Sequence, residues 1–359
     1  MILASLALQQ FRNYQLENFS FHNSVTVIVG QNTAGKTNLL DSIHLLATGK
    51  SFLTDKEEEL IRFGQDFCRV KAKVTKASEE SNINDEIMLE MLVTSESAMH
   101  RGGKRYFVNN VPKRRAEFSS YLPILLFTPL DLEIISDGPS YRRNFLDQII
   151  EQTDSDYKLS LSQYNKALRQ RNALIDKVRE TGRRIDREFT YWDEILIKNG
   201  QYLHARRQEF INYINEQKKE IIDCHLLYDH SIISAERLEK YKDSEIGAGV
   251  TLVGPQRDDV IVEINIKNNE LRMAKTFGSR GQQRLVVLQL KLLQLKYLKE
   301  HLQTAPLLLL DDIFSELDEG HINLVSEMIG GQQTIITTTH QEFINNDILR
   351  QAKMLELGE

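Results

Sequence analysis

An eight-residue run near the start of the chain has the residue types that a phosphate-binding loop requires. It reads Gly30-Gln-Asn-Thr-Ala-Gly35-Lys36-Thr37, which is the Walker A spacing. Glycines let the backbone wrap closely around phosphates, where successive N–H groups and a helix N-terminus supply partial positive charge. In this motif Lys36 is positioned to contact the β- and γ-phosphate oxygens, and the Thr37 hydroxyl is positioned to bind Mg²⁺. We expect nucleotide contacts from Gly30, Gln31, Asn32, Thr33, Ala34, Gly35, Lys36, Thr37 and Asn38.

The elements around this loop are those that a phosphate-binding loop needs. Residues 25–29 form a short β-branched run, typical of a strand that is buried on both faces of a sheet. After the loop, apolar residues recur on one face of a predicted helix, which Gly49 ends. A chance glycine-rich turn would lack this strand and this helix.

A second candidate site lies late in the chain. Leu307-Leu-Leu-Leu-Asp311-Asp312 is an apolar strand that ends in two carboxylates, as a Walker B motif does. Asp311 could hold the Mg²⁺ shell, and the neighbouring Asp312 could orient water. Many core strands end in Asp, so the motif gains its weight from its position in the chain.

Between the two motifs, Phe277-Gly-Ser279-Arg-Gly281-Gln282-Gln283-Arg284 opens an apolar helix that runs to about His301. Ser279 is a natural N-cap, and the exposed N–H groups with the helix dipole make an anion site. We expect Ser279, Gly281 and Gln282 to contact a nucleotide. The alternative is an ordinary capped helix.

The order of these motifs resembles that of ABC-type ATPases. Walker B is followed by Ser315-Glu-Leu-Asp318 and by Thr339-His340, as in those enzymes. The resemblance implies that the Ser279 segment reaches the γ-phosphate bound by a second copy, so that ATP joins two heads. It also implies that the 315–318 segment crosses the interface, and it gives the catalytic roles to Lys36, Asp312 and His340. Asp312 is one methylene shorter than the glutamate usual there, so we expect weak, DNA-stimulated hydrolysis that acts as a switch.

Further segments along nearly the full chain resemble the RecF family of SMC-like ATPases. Phe11-Arg12-Asn13-Tyr14 precedes the loop, and Arg12 is expected near the nucleotide. Further matching segments are Asn38 to Ile43, Gly49 to Phe52, Phe127 to Leu132, Gly138 to Asp147, Tyr164 to Asn172 and Gly254 to Asp259. The resemblance implies binding of double-stranded and gapped DNA, RecR and RecO as partners, and help in loading RecA at single-strand/duplex junctions.

The predicted fold is α/β: an ABC-type ATPase head with a mixed β-sheet core, plus a helical arm. Residues 1–122 would form the β-rich N-terminal part of the head and residues 123–250 the arm. Residues 251–359 would complete the head. Long charged sequence with almost no Gly or Pro predicts helices from about 139 to 226, broken at Gly182, and strands return at 250–277.

Composition limits the classes of function. The chain has 359 residues and a formal net charge of −6, so any DNA binding must come from local basic patches. Two isolated cysteines argue against disulfides or a zinc site and fit a cytoplasmic protein, which by resemblance is nucleoid-associated. No apolar run approaches membrane-spanning length, so no membrane partner is expected.

Two segments are locally basic. Residues 101–115 hold six basic residues and no acidic one, and we expect DNA contacts from Lys104, Arg105, Lys113, Arg114 and Arg115. Residues 165–207 hold 11 basic and 6 acidic residues. Phosphate contacts release counterions and drive DNA affinity without sequence readout. For either segment, the alternative is a solvated surface.

The preferred interpretation is an ATP-induced homodimer that clamps DNA. A transporter ATP-binding subunit is one alternative, disfavoured by the long arm. A structural SMC-type tether is another, disfavoured by the short chain and by the lack of a zinc hook.

Overall fold

The computed structural model describes residues 1–75, 86–95, 102–265, 270–316, 320, 322, 325–326 and 329–358. They belong to two compact units, one made of residues 1–130 with 295–359 and the other of residues 131–294. The domain boundaries that the sequence predicts at residues 122 and 250 remain a prediction. In the described stretches, no helix has the length and apolar character needed to cross a bilayer.

The strands form three sheets. They are, in chain order, β1 Ile2–Phe11, β2 Tyr14–Ser20, β3 Val25–Gly30, β4 Phe67–Thr75, β5 Glu86–Thr94, β6 Gly103–Val108, β7 Val111–Lys113, β8 Ile124–Phe127, β9 Cys224–Asp229, β10 Asp259–Asn265, β11 Leu271–Met273, β12 Leu307–Asp311, β13 Thr334–Thr338 and β14 Ala352–Leu357.

Helices occur in both units. They are α1 Lys36–Thr48, α2 Arg115–Phe118, α3 Glu133–Ser136, α4 Pro139–Thr153, α5 Ser155–Thr181, α6 Asp186–Glu216, α7 Ala235–Lys240, α8 Lys242–Ala248, α9 Ala274–Phe277, α10 Arg280–His301 and α11 Asn346–Gln351. Residues between 320 and 329 that the structure describes are also helical.

The first unit contains a five-stranded parallel sheet in the order β14-β3-β13-β12-β8. Its central strands are rich in apolar and β-branched residues and are almost wholly buried, as expected for a parallel sheet that is covered on both faces. All five strands run the same way, so their carboxyl ends share one edge. The functional residues of β3, β12 and β13 are therefore brought together at that edge.

A six-stranded antiparallel sheet, in the order β2-β1-β4-β5-β6-β7, forms the other half of this unit. The strands predicted near 68–75, 87–94 and 105–111 are confirmed. The predicted bend at Asn109 and Asn110 is also confirmed, with φ of 50° and 64°, as a tight hairpin between β6 and β7 requires. Alternate residues of β4 face the core.

Helix α1 belongs to one core with both sheets. Its Leu39, Leu40 and Ile43 are fully buried with Leu6 of the antiparallel sheet and Leu309 of the parallel sheet. Ten of its 13 residues are buried, so the helix is enclosed on nearly all sides. Gly49 ends it with φ of 74°, as predicted.

Distant parts of the chain are joined by Gln333, which is buried just before β13. Its side chain accepts a hydrogen bond from the Leu3 N–H at 2.7 Å and donates to the Leu3 carbonyl at 2.8 Å and the His22 carbonyl at 2.9 Å. A buried amide that bonds backbone in this way replaces a missing strand neighbour. The beginning and the end of the chain therefore form one folding unit.

The second unit is built around the α5 and α6 pair. Gly182, with φ of 67°, ends α5, so the predicted break is confirmed. The helical prediction for 139–226 is wrong at its end, because α6 stops at Glu216 and β9 follows. Strand β9 pairs with β10, which begins at Asp259 after two short helices. In the described part of the 250–277 region predicted as strands, β10 and β11 are strands, whereas Pro255–Arg257 form a 3-10 turn and α9 is helical.

Two arginines of the basic 165–207 segment are buried in this unit. Arg171 is 0% exposed and bonds Glu245 at 2.7 Å and Asp193 at 2.6 Å. Arg207 bonds Asp258 and Asp147, both at 2.9 Å. A buried charge is tolerated only when it is paired in this way. These two cations therefore serve the fold and are removed from any DNA-binding surface.

We predict that Arg171→Ala lowers the free energy of unfolding of the helical unit by about 3–5 kcal/mol, because it leaves the buried Glu245 without its cation. Trp192 is the sole tryptophan and lies on α6 in the same unit, so its fluorescence during urea unfolding reports on this unit. Arg169→Ala on the exposed face of α5 is the matched control, with an expected change within about 0.5 kcal/mol. Equal midpoints for the two variants would refute this role of Arg171.

Candidate nucleotide site

The predicted phosphate-binding loop joins the carboxyl end of β3 to α1. Ligands bind at this edge of parallel sheets because loops and helix N-termini converge there. The sheet register places Asp311 beside Thr337 and Val29 beside Thr338. The predicted Walker A and Walker B motifs therefore meet at one edge of the sheet, as expected.

Gly35 has a conformation that only glycine adopts without strain. Its φ is 100°, and a Cβ there would lie 2.5 Å from Asn13 Nδ2 and 2.8 Å from Tyr14 Oη. Gly35 precedes α1, whose first turn has no side-chain cap. The Tyr14 hydroxyl donates to the Gly35 carbonyl at 3.0 Å. The N–H groups at the start of α1 are thus left for an anion, and the Asn13–Tyr14 turn supports the loop from behind.

Gly30 is required for a different reason. A Cβ at this position would lie 2.6 Å from the backbone oxygen of Leu357 in β14. That strand pairs with β3 and reaches Gly30 with Leu357 itself. The first glycine of the loop therefore lets the last strand pass closely beside it.

Lys36 is buried within the loop, with 8% of its surface exposed. Its Nζ donates to the carbonyls of Gly30 at 2.7 Å and Gln31 at 2.9 Å. Burial lowers the pKa of Lys36, and the nearby carboxylates of Asp312 and Asp311 oppose that shift. The ammonium group thus lies where phosphate oxygens could replace the two loop carbonyls as its partners.

Asp311 is buried at the end of β12, and burial raises its pKa from the ordinary value. Two hydroxyl groups oppose this rise by donating to its Oδ1, that of Thr337 at 2.6 Å and that of Thr37 at 3.3 Å. The Thr37 hydroxyl and the Asp311 carboxylate are the hard oxygen ligands that Mg²⁺ prefers. The structure places these two oxygens 3.3 Å apart, and their predicted joint support of one Mg²⁺ ion remains a prediction.

Asp312 has a left-handed backbone with φ of 49°. Its N–H donates to the Thr337 carbonyl at 3.0 Å and approaches the Thr337 hydroxyl at 3.2 Å. Asp and Asn adopt this conformation more readily than longer side chains. The backbone turn therefore gives a physical reason for an aspartate at the position where the resemblance implies glutamate.

His340 is exposed beyond the end of β13. Its N–H donates to the Thr338 hydroxyl at 3.3 Å, and its ring meets Phe343 edge-on at 5.7 Å. The turn holds the imidazole at the same sheet edge as the loop. In the neighbouring predicted segment, Ser315 and Glu316 end a short 3-10 turn, and residues 317–319 lie outside the described residues.

Arg12 lies in the turn between β1 and β2, with φ of 47°. Its guanidinium donates to Asp41 at 2.7 Å and to Ser51 at 3.2 Å. Asp41 is fully buried on α1 and accepts from the Phe52 N–H at 2.9 Å. The structure thus ties Arg12 to α1, next to the Asn13–Tyr14 turn that supports the loop.

The remaining loop residues differ in their surroundings. Gln31, Asn32 and Thr33 are exposed, and Thr33 has φ of 78°. The Ala34 N–H donates to the Gln31 carbonyl at 3.2 Å. Asn38 bonds Asn13 at 2.8 Å and so braces the same turn. Left-handed backbone at Thr33 and Gly35 is typical of anion-binding loops, and the predicted phosphate contacts of this loop remain a prediction.

The segment around Ser279 belongs to the second unit and forms a capping box. The Gln282 N–H lies 3.2 Å from the Ser279 hydroxyl, and the Ser279 N–H donates to the Gln282 side chain at 2.9 Å. Gln283 holds the preceding turn by donating to the Ala274 carbonyl at 3.1 Å. The predicted N-cap is therefore confirmed, and it presents Gly281 on the exposed first turn of α10.

The predicted DNA-binding residues do not share one surface. Arg105 points to the face of the antiparallel sheet opposite to that of Lys104 and Lys113, because neighbouring strand residues alternate. Lys104 lies 3.5 Å from Glu57, and Lys113 lies 3.1 Å from Glu117. Arg115 donates to the Thr48 carbonyl at 3.1 Å, Arg114 is exposed, and Arg101 lies outside the described residues.

Sequence reasoning missed Thr337 and Asp41. Both are polar groups within buried elements, and this pattern is a usable signal, since a buried polar side chain needs a partner. Their partners lie 26 and 29 residues away in sequence, so the pattern alone does not identify them.

Together, the glycine loop, the buried helix behind it and the carboxylates at the same sheet edge define a P-loop nucleotide-binding head. The family model RecF/RecN/SMC N terminal domain matches residues 2–356. The DNA replication and repair protein RecF of Bacillus thuringiensis (strain Al Hakam) is 31% identical over 380 aligned positions, covering 99% of this chain and 97% of that protein. RecF of Bacillus cereus (strain B4264) matches equally. The chain therefore belongs to the RecF family.

Solved structures agree with this assignment. The structure of the recombination mediator protein RecF with ATP in the RecFOR pathway has a TM-score of 0.84 and 29% identity, covering 96% of this chain and 93% of that one. An SMC head domain from Pyrococcus furiosus, with a TM-score of 0.56 and 18% identity, covers 99% and 93% and shares the fold. The RecF-type assignment favours DNA repair over the transporter alternative.

We predict that Thr337→Val weakens Mg²⁺-dependent nucleotide binding by about 10–100-fold, because it removes a hydrogen bond that supports the Asp311 carboxylate. The pKa of Asp311, already raised by burial, rises further without this bond. Metal binding needs the deprotonated carboxylate, so affinity is lost as pH falls, and the loss begins at higher pH in the variant. Fluorescent-nucleotide titrations across pH, with and without Mg²⁺, measure both effects.

The matched control is Thr334→Val on the same strand. The Thr334 hydroxyl has no hydrogen-bond partner among the described residues, and its side chain is equally buried. This variant should bind nucleotide as the wild type does. If both variants shift the pH profile alike, the Thr337–Asp311 bond has no role in binding.

Proposed function

We propose that the chain binds ATP with Mg²⁺ in the loop of residues 30–37. Lys36 would neutralise phosphate oxygens, and the N–H groups at the start of α1 would hold them in place. Thr37 and Asp311 would support the ion, which when bound screens phosphate charge. Support comes from the joined Walker motifs and from the solved RecF structures described with ATP and an ATP analogue.

We further propose that Ser279, Gly281 and Gln282 complete the site of a second copy. The observation that carries this proposal is the space around Gly281. A Cβ there would have Ser279 Oγ as its nearest neighbour, at 4.0 Å. Glycine within a helix costs about 1 kcal/mol relative to alanine, yet nothing in the described chain requires it here. The first turn of α10 is exposed and has open space beside Gly281. A phosphate group held by a second copy could therefore approach its N–H groups closely.

In this proposal ATP joins two heads, and the dimer binds DNA in repair and recombination. Family membership supports the DNA-repair role. The finer role is binding double-stranded and gapped DNA at single-strand/duplex junctions in the cytoplasm, in association with the nucleoid. RecR and RecO would act with it to help RecA load there. The pathway in the description of the solved relative supports these partners.

Mixing two inactive variants tests whether the site is shared between copies. Lys36→Met removes the phosphate-binding ammonium, and Ser279→Arg obstructs the α10 cap, so neither should form an ATP-dependent dimer alone. A mixed dimer has one intact site, made of Lys36 from one copy and Ser279 from the other. We therefore predict that mixing restores ATP-dependent dimers on gel filtration and retention of gapped DNA by those dimers.

Lys296→Met, an exposed change farther along α10, is the matched control and should dimerise alone. Failure of the mixture, with each variant folded and the control dimeric, would contradict a shared site. Dimers that form but do not retain gapped DNA would contradict the DNA role while leaving the ATP switch intact.

Asp312 is proposed to position the attacking water and to accept its proton. We predict that Asp312→Asn lowers phosphate release by about 100-fold while nucleotide affinity stays within a few-fold, because the amide cannot accept the proton. The shape of the side chain is kept, so the turn with φ of 49° is unaffected. Asp347→Asn on α11 is the exposed control. An unchanged rate for Asp312→Asn would exclude this role.

A further inference from the structure

The six-stranded antiparallel sheet has one face on the core and one face outward. Residues such as Val70 and Met91 are buried, while their strand neighbours Lys71 and Leu92 point the other way. We call this second side the outer face. Its described charged residues are Arg69, Lys71, Lys73, Glu86, Glu90 and Arg105.

A straight row of cations runs along β4 on the outer face. The side chains of Arg69, Lys71 and Lys73 are 38%, 38% and 48% exposed. Every second residue of a strand advances by about 7 Å, so the row spans about 14 Å. One strand of duplex DNA advances about 3.4 Å per phosphate, so the row matches the axial length of about four phosphates.

Arg105 extends the row sideways into a patch. The sheet register aligns Arg69 with Leu92 and Leu92 with Arg105, which places the two arginines two strands apart at the same level. Adjacent strands lie about 4.8 Å apart, so the two positions are about 10 Å from each other. Arg105 is exposed, as its place on the outer face requires.

Glu90 lies between the cations as an internal counter-charge. Its side chain is 11% exposed and contacts Arg69 at 3.1 Å and Lys71 at 2.9 Å. Lys73 lies 3.6 Å from Glu86 at the end of the strand. Among the described residues of this face, four cations thus stand with two carboxylates, a local positive excess in a chain with a net charge of −6. The ion pairs also hold Arg69 and Lys71 in fixed positions before any partner arrives.

We propose that the outer face, centred on Arg69, Lys71 and Arg105, binds the phosphate backbone of duplex DNA, and that Glu90 positions these cations and limits their affinity. This inference rests on the proposed DNA function and assigns it a surface. Regularly spaced cations along a strand suit binding to the phosphates of a polyanion without contacts to its bases. An acidic protein partner fits less well, because the patch centre offers only half-buried Leu92 and Phe107 as apolar anchors.

The test measures DNA affinity of the full-length chain with ATP, by fluorescence anisotropy of a labelled duplex over a range of salt. The Arg69→Ala, Lys71→Ala double variant should bind DNA about 5- to 10-fold more weakly for each lost phosphate contact at about 0.1 M salt. The slope of the logarithm of the binding constant against the logarithm of salt concentration should become shallower by about 0.9 for each lost contact. Glu90→Gln should bind several-fold more tightly, because it removes the competing charge and keeps the side-chain shape.

Arg350→Ala and Asp347→Asn are matched controls, since these two residues form an exposed ion pair of 3.4 Å on α11. Both should bind DNA as the wild type does, and all variants should keep ATP-dependent dimerisation. If wild-type protein with ATP does not bind DNA, the proposed function fails. If the wild-type protein binds DNA and the outer-face variants bind DNA equally well, the outer-face assignment alone is overturned. The same holds if these variants lose binding only to a protein partner.

Discussion

Everything at the nucleotide site depends on the burial of α1 in a core shared with both sheets. A fully buried leucine contributes about 1.5–3 kcal/mol, and this helix buries several, so it cannot shift along its axis without losing much of the core. Its first turn is thereby fixed at the carboxyl edge of the parallel sheet. The loop, the two carboxylates and the Thr337 hydroxyl are placed relative to that turn.

Features set by neighbouring residues could be predicted from the sequence. The glycine loop, the end of α1 at Gly49, the Ser279 cap and the Asn109–Asn110 hairpin were all predictable, because each depends on a few adjacent residues. Features that join distant segments were not. Strand β9 is short and finds its partner only after the intervening helices, and the hydroxyl that supports Asp311 comes from another strand.

The basic residues likewise show that position in the sequence does not reveal which residues meet in the folded chain. A count along the chain cannot tell that Arg207 is neutralised by Asp147 and Asp258, which are 60 and 51 residues away. Nor can it tell that Lys104 and Arg105 face opposite sides of a sheet, although their types are equivalent. Strand register, and not local composition, decides which cations can meet a common partner.

The close passage of Leu357 beside Gly30 has a consequence for how the protein folds. The glycine loop and the strand that lies against it are far apart in the sequence. Gln333 joins Leu3 and His22 across a similar separation. Contacts between such distant segments form slowly because a long loop must close first. The phosphate-binding loop therefore reaches its complete form late in folding, after the local strands and helices have formed.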